Sequence, residues 1–217
     1  MILINFKIYK ETFGEGAVKL ARICKEVADK TGVKIYPIVS ALDVYRITKE
    51  VGIEVFVQAV DTNEDGAKTG AISAEQAKQL GAIGALINHS ERKLPPGKIK
   101  ELLASWPKGF LSVMCVHSAG QVERWGKNIK CDMVAYEPSY LISSKDKSVA
   151  TEKPEVIKKI ADFYQPRNIA VLAGAGVHSE NDVKISLKMG AKGVLLASDV
   201  VKSEDPKKEL TELAEAF

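Results

Sequence analysis

Residues 81–87, Gly-Ala-Ile-Gly-Ala-Leu-Ile, close one helical pattern and enter a short apolar run. Residues 190–196, Gly-Ala-Lys-Gly-Val-Leu-Leu, repeat that transition near the other end of the chain. In both copies the leading glycine is well placed to stop a helix in a left-handed turn. The two stretches therefore indicate a repeated β-α unit, in which a strand follows closely after each helix.

Short apolar or β-branched runs alternate with longer amphipathic segments along the rest of the chain. The runs predict eight strands, at residues 2–6, 34–39, 55–59, 85–88, 110–116, 133–137, 170–173 and 193–196. Several of them are apolar throughout, which is typical of strands that are covered on both faces. The pattern therefore favours a parallel sheet.

The segments between the runs carry helical periodicity and helix-start signals. The first has apolar residues at positions 17, 20, 21, 24, 27 and 28, which form one stripe on a helix. Ser73, Ser118 and Ser179 are suited to cap later helices, and Pro96 and Pro154 suit a first turn. No linker divides the chain. The sequence predicts an α/β fold, a (β/α)8 TIM barrel formed by residues 1–217 as a single domain, with a doubly wound open sheet as the alternative.

Composition narrows the possible partners. With 217 residues, of which 46% are hydrophobic, the chain can bury one substantial core. The net charge is only +3 and the basic residues form no dense stripe, so we expect no nucleic-acid partner. No apolar stretch is long enough to span a membrane. Cys24, Cys115 and Cys131 are odd in number and widely spaced, which argues against disulfides or structural zinc and favours the cytoplasm.

Polar and small residues follow several of the predicted strands. In a (β/α)8 barrel the active site forms at the carboxyl ends of the strands. The residues at these ends are Asn5, Lys7, His89, Glu137, Gly174, Ala175, Gly176, Ala197 and Ser198. A cation, an imidazole, a carboxylate and two turns of small residues would therefore meet at one mouth.

Three of these segments resemble a known family. Asn5-x-Lys7, Asn88-His-Ser-Glu-Arg92 and Tyr136-Glu137-Pro138 are similar to the signature segments of the triosephosphate isomerases, in the same order and at the ends of the corresponding strands. Residues 58–61, 69–70, 174–177 and 193–198 resemble the shorter archaeal branch of that family. The resemblance covers essentially the whole chain. It implies interconversion of dihydroxyacetone phosphate and D-glyceraldehyde 3-phosphate through an enediolate, in glycolysis and gluconeogenesis, with no cofactor and no metal.

The resemblance also implies roles for individual residues. Glu137 would be the base, and His89 the electrophile and proton shuttle. Lys7 would stabilise negative charge, with Asn5 as a hydrogen-bond donor beside it and Glu91 holding Lys7 in place. We expect His89 to stand at the start of a short helical segment, whose dipole would disfavour a charged ring.

Backbone amides are expected to bind the phosphate group. The substrate-binding residues implied by the resemblance are Ile142, Ser143, Gly174, Ala175, Gly176, Ala197 and Ser198, together with Asn5 and Lys7. Residues 139–151 would form a lid that excludes water from the bound substrate.

Two features depart from the family. The lid usually carries Gly-Thr-Gly at its tip, where this chain has Ser143-Ser144-Lys145. Asp199 stands where archaeal relatives usually have a small residue. We expect Asp199 to cap the helix that follows, since a carboxylate close to a phosphate would weaken binding.

Other interpretations remain open at this point. The chain resembles enzymes that form homodimers or homotetramers and act on a small phosphorylated triose. Alternatively, it is another phosphate-binding barrel enzyme, or a non-catalytic paralogue that binds sugar phosphates. We assign His117 and His178 no catalytic role, and we interpret Cys115 as packing behind Glu137 rather than as a nucleophile.

Overall fold

Eight parallel strands pair in chain order and close into a barrel, in a computed structural model that describes residues 1–64, 66–126, 130–141 and 147–217. The strands are β1 (Ile2–Asn5), β2 (Ile35–Val39), β3 (Val55–Val57), β4 (Ala82–Ile87), β5 (Leu111–Val116), β6 (Met133–Tyr136), β7 (Ala170–Gly174) and β8 (Gly193–Leu196). The predicted (β/α)8 TIM barrel is confirmed, and the open-sheet alternative is wrong because β1 pairs with β8.

Helices alternate with the strands around the outside of the barrel. They are α1 (Glu15–Thr31), α2 (Val44–Glu50), α3 (Ala74–Gln79), α4 (Pro96–Ala104), α5 (Ala119–Trp125), α6 (Val149–Glu152), α7 (Pro154–Tyr164), α8 (Glu180–Lys188), α9 (Ser198–Val201) and α10 (Pro206–Ala214). Single 3-10 turns occupy Ser139–Leu141 and Gln165–Arg167. In the described part of the chain, no helix has the length and apolar character needed to cross a membrane.

The predicted helix starts agree with the structure. Ser73, Ser118 and Ser179 each accept a hydrogen bond from the backbone three residues on, as N-cap residues do. Ser179 forms a full capping box with Asp182. Pro96 and Pro154 begin α4 and α7. These local signals are sufficient to place five helices.

The core has two layers because each strand is buried on both faces. One layer fills the inside of the barrel, with Leu3, Ile38, Phe56, Leu86, Val113, Cys115, Met133, Ala135, Leu172 and Leu195. The other lies between the strands and the helices and includes the buried stripe of α1, with Ala17, Leu20, Ala21, Cys24 and Val27. The packed interior leaves the carboxyl ends of the strands as the place for a cavity.

Candidate active site

A cavity opens at the carboxyl ends of the strands and gathers most of the predicted residues. It is lined by Asn5, Lys7, His89, Glu137, Ala175, Gly176, Ala197 and Ser198, together with Val177, His178, Leu195, Leu196 and Asp199. Gly174 lies beneath it, against the side chain of Glu137. Ile142 and Ser143, along with Ser144 and Lys145, lie outside the described residues. Apart from these lid positions, the structure brings the predicted site together.

Lys7 supplies a positive charge that is held from several sides. Its side chain is 10% exposed, and its Nζ lies 2.7 Å from Oε1 of Glu91, which confirms the predicted pair. Its backbone N–H donates to Oδ1 of Asn5 at 3.0 Å, and its carbonyl accepts from Nε2 of Gln58 at 2.7 Å. These bonds hold Lys7 at φ 49, a left-handed conformation that costs a side chain about 1–2 kcal/mol.

His89 presents one ring nitrogen to the cavity's carboxylate. The backbone N–H of Glu91 donates to Nδ1 at 3.3 Å, so the proton of the neutral ring is on Nε2. That Nε2 lies 3.8 Å from Oε1 of Glu137, too far for a direct hydrogen bond.

The prediction of a helix start at His89 is wrong. The N–H of Arg92 bonds to the carbonyl of His89 and closes only a single turn, and α4 begins at Pro96. A backbone hydrogen bond to Nδ1, rather than a helix dipole, therefore orients the ring and favours the tautomer with its proton on Nε2.

Glu137 is a buried carboxylate with an unused oxygen. The residue is 4% exposed, and its Oε2 has no hydrogen-bond partner among the described residues. Cys115 packs against it as predicted: burial, then the charge of Glu137 and a hydrogen bond with it, raise the pKa of the thiol well above its usual value. On another side, a Cβ added to Gly174 would stand 2.6 Å from Cγ of Glu137. Glu137 therefore has little room to move.

His117 joins the segments that carry Glu137 and His89, a contact that the sequence did not reveal. Its Nδ1 lies 3.1 Å from the carbonyl oxygen of Glu137, and its Nε2 lies 3.1 Å from that of Asn88. Asn88 is itself at φ 61, and its side chain donates to the carbonyl of Cys115 at 3.0 Å. The only signal in the sequence is the position of His117 directly after β5, at the same rim as His89 and Glu137.

The turn after β7 is tied to neighbouring segments. Ala175 and Gly176 are both left-handed, at φ 71 and φ 69. The carboxylate of Asp182, in α8, accepts the backbone N–H of His178 at 3.0 Å and the hydroxyl of Ser148. Ser148 also caps α6, near the end of the predicted lid. The lid's C-terminal end is therefore joined to the turn that faces the cavity.

The predicted capping role of Asp199 is wrong. Ala197 is the N-cap residue of α9, so Asp199 lies inside the first turn of that helix. Its Oδ1 lies 2.9 Å from Nδ1 of His178, which lines the same cavity. A carboxylate only accepts hydrogen bonds, so the ring donates from Nδ1. The sequence assigned no role to His178, whose partner lies in the helix that follows the neighbouring strand β8.

Comparisons with known proteins agree with this architecture. The family model described as "Triosephosphate isomerase" matches residues 1–217. The triosephosphate isomerase of Methanobacterium bryantii is 38% identical over 216 residues, covering 98% of this chain and 95% of that protein. That of Archaeoglobus fulgidus is 39% identical, covering 98% of this chain and 96% of that protein. A crystal structure of triosephosphate isomerase from Bartonella henselae, 18% identical, superposes with a TM-score of 0.74 over 99% of this chain and 97% of that one, which supports the fold.

Proposed function

This chain belongs to the triosephosphate isomerase family, and we propose that it interconverts dihydroxyacetone phosphate and D-glyceraldehyde 3-phosphate. The observation that carries the proposal is the pair formed by Glu137 and His89. Its carboxylate oxygen and ring nitrogen face each other at 3.8 Å across the cavity, without a direct bond. Isomerisation needs a base and a proton donor within reach of adjacent carbon and oxygen atoms.

Glu137 is the base in this proposal. Its carboxylate takes a proton from the carbon beside the substrate carbonyl, and the electron pair of the broken C–H bond forms the enediolate. The buried Oε2, which has no partner among the described residues, is consistent with a carboxylate left free for a substrate. Return of the proton to the neighbouring carbon completes the isomerisation without a net change of charge.

His89 and Lys7 stabilise the negative charge that forms. The Nε2–H of His89 donates to the developing oxyanion and moves protons between the two oxygens. Lys7, 10% exposed and held by Glu91, contributes a fixed positive charge in a site with little water, where its effect is larger than in solution. Asn5 uses Oδ1 to hold the backbone of Lys7, which leaves its amide nitrogen as the predicted donor.

The phosphate group is placed at the turns after β7 and β8. Ala175, Gly176, Ala197 and Ser198 follow these strands and line the cavity, and Gly174 ends β7 just beneath them. Backbone N–H groups in such turns bind anions without a cost in side-chain entropy. Ile142 and Ser143 would add contacts from the lid.

Replacement of Glu137 by alanine tests the proposal. A coupled assay that follows loss of NADH should show that turnover falls by a factor of about 1,000 or more, since general base catalysis is lost together with the positioned carboxylate. Glu123→Ala, which removes an exposed acid paired with Lys159, is the matched control and should keep wild-type turnover. Wild-type turnover in Glu137→Ala would show that the base is assigned wrongly.

Residues 1–217 are proposed to act as one domain in a cytoplasmic homodimer or homotetramer. Support for self-association comes from apolar side chains beside the mouth, with Ile8, Phe13 and Leu42 exposed by 89%, 67% and 92%. A hydrogen bond from Gly14 to Asp43 brings their two loops together. Contiguous exposed apolar surface is typical of interfaces. Light scattering should therefore report more than one chain per particle, and Leu42→Lys should lower the measured mass.

A further inference from the structure

His178 and Asp199 form a hydrogen-bonded pair inside the cavity that the proposed isomerisation does not use. Nδ1 of His178 donates to Oδ1 of Asp199 at 2.9 Å, and both residues line the cavity beside Gly176 and Ser198. The His178 side chain is 22% exposed, so most of it is enclosed by protein. The pair therefore lies at the end of the cavity where the phosphate group is placed.

The second ring nitrogen of His178 is an unsatisfied polar atom. Among the described residues, four buried side-chain polar atoms have no hydrogen-bond partner, and two of them belong to residues that line this cavity: Oε2 of Glu137 and Nε2 of His178. Leaving a buried polar group unpaired costs about 1–3 kcal/mol, so such atoms are usually paired with water or with a bound molecule. In the proposed reaction, the carboxylate of Glu137 meets the C–H group that it deprotonates.

We propose that Nε2 of His178 donates a hydrogen bond to the phosphate group of the substrate, with Asp199 holding the ring. This inference rests on the proposed function, because it assumes a phosphorylated substrate in the cavity. Since Nδ1 already carries the proton donated to Asp199, a second donation from Nε2 requires a doubly protonated ring. His178 would thus be a second cation in the cavity, in addition to Lys7.

The surrounding charges are compatible with such a ring. Asp199 in α9 faces it directly, Asp182 in α8 accepts its backbone N–H, and the Glu209 carboxyl in α10 interacts with both His178 and Asp199. Burial, then Glu212 and Asp199, raise the pKa of Glu209, while Lys208 and His178 lower it. The carboxylate of Asp199, which alone would repel a phosphate, is paired with a cation and orients it.

Two substitutions of His178 distinguish a role in phosphate binding from a purely structural contact with Asp199. His178→Asn places an amide nitrogen near the position of Nδ1, so it can still donate to Asp199 but has nothing in place of Nε2. His178→Phe removes both groups. We expect both variants to bind inorganic phosphate about tenfold or more weakly in isothermal titration calorimetry, as for other hydrogen bonds to charged groups. The Tm should fall in His178→Phe only.

Kinetics add a readout that a structural role would not move. In His178→Asn, KM for glyceraldehyde 3-phosphate should rise about tenfold, while the slow turnover of glyceraldehyde, which has no phosphate, stays at the wild-type value.

The outcomes separate this inference from the proposed function. Wild-type phosphate affinity in His178→Asn overturns the inference, even if the isomerase activity is present. An equal loss of activity toward phosphorylated and unphosphorylated substrates also overturns it, since that indicates a distorted site. If the wild type lacks isomerase activity and phosphate affinity still falls in His178→Asn, the proposed function is wrong and the phosphate contact stands.

Discussion

Gly174→Ala should disable the site while leaving the barrel intact. Gly174 ends β7, and its backbone is outside the left-handed region, so alanine fits the local conformation. The added Cβ would nevertheless stand 2.6 Å from Cγ of Glu137. Carbon atoms pack at about 3.6 Å, so one of the two must move by about 1 Å. The Glu137 side chain is the group that can move, because Gly174 is part of the sheet.

The displacement sets the size of the effect. A reacting group misplaced by about 1 Å reduces rate by about 100-fold, equivalent to about 2.7 kcal/mol in the activation free energy. Cys115 packs against the same carboxylate, which limits any sideways adjustment. We therefore expect kcat to fall about 100-fold. Affinity for inorganic phosphate should change little, because the proposed phosphate contacts are at Ala175, Gly176, Ala197 and Ser198, whereas the added Cβ meets Glu137.

Steady-state kinetics, phosphate titration and thermal denaturation together test this expectation. Gly97→Ala is the matched control, since Gly97 lies in α4 and its added Cβ would have no heavy atom within 4 Å. That variant should keep wild-type kcat. If Gly174→Ala keeps kcat within threefold of the wild type while folded, the argument that Gly174 sets the position of Glu137 is refuted.

Two further predictions concern the rim and the core. His117→Phe removes both contacts between the ring and the carbonyls of Glu137 and Asn88, so kcat should fall about tenfold with KM nearly unchanged in steady-state kinetics. Gln121→Ala is the control. It removes the side chain that accepts the backbone N–H of His117, and its effect on kcat should be smaller. Burial raises the pKa of the Cys24 and Cys115 thiols well above the usual 9.0, and that of the Cys131 thiol to about 12. Above pH 9 the thiols therefore ionise in the unfolded chain before they ionise in the folded protein. The free energy of unfolding is unaffected below pH 9 and falls as the pH rises above it. Chemical denaturation between pH 7 and pH 10 should show stability falling above pH 9, by up to about 1.4 kcal/mol per thiol per pH unit, and a constant stability would contradict it.

The barrel was predictable because local signals agreed with the global fold. Strands buried on both faces read as continuous apolar runs, and serine caps and prolines marked the helices. The start of β4 was not predictable in this way. The predicted strand began at residue 85, whereas the strand begins at Ala82. Gly84 lies inside the strand because a Cβ there would stand 2.5 Å from the ring of Phe56, which fills the barrel interior. That requirement comes from another strand and leaves no local trace.

The site also contains residues whose placement the sequence could predict and residues whose placement it could not. Lys7, His89 and Glu137 were predictable because each belongs to a short segment with a recognisable order at a strand end. His178 and Asp199 are 21 residues apart in the chain and meet because β7 and β8 are neighbours in the barrel. The sequence suggested no catalytic role for His178 and a capping role for Asp199. Their contact depends on which strands lie side by side in the barrel, and neither residue alone indicates this.

Backbone strain at the rim explains why activity and stability can be tested separately here. Lys7, Asn88 and Ala175 are non-glycine residues with positive φ at the mouth. Asn88 and Ala175 directly follow β4 and β7, and Lys7 lies two residues after the end of β1. The conformation costs about 1–2 kcal/mol at Lys7 and Ala175 and less at asparagine. Specific hydrogen bonds hold two of these residues: the N–H of Lys7 donates to Oδ1 of Asn5, and Nδ2 of Asn88 donates to the carbonyl of Cys115. The two buried layers that stabilise the barrel lie below and around this rim. Substitutions at the mouth should therefore shift side chains such as Glu137 at little cost to the core, and their main effect should be on rate.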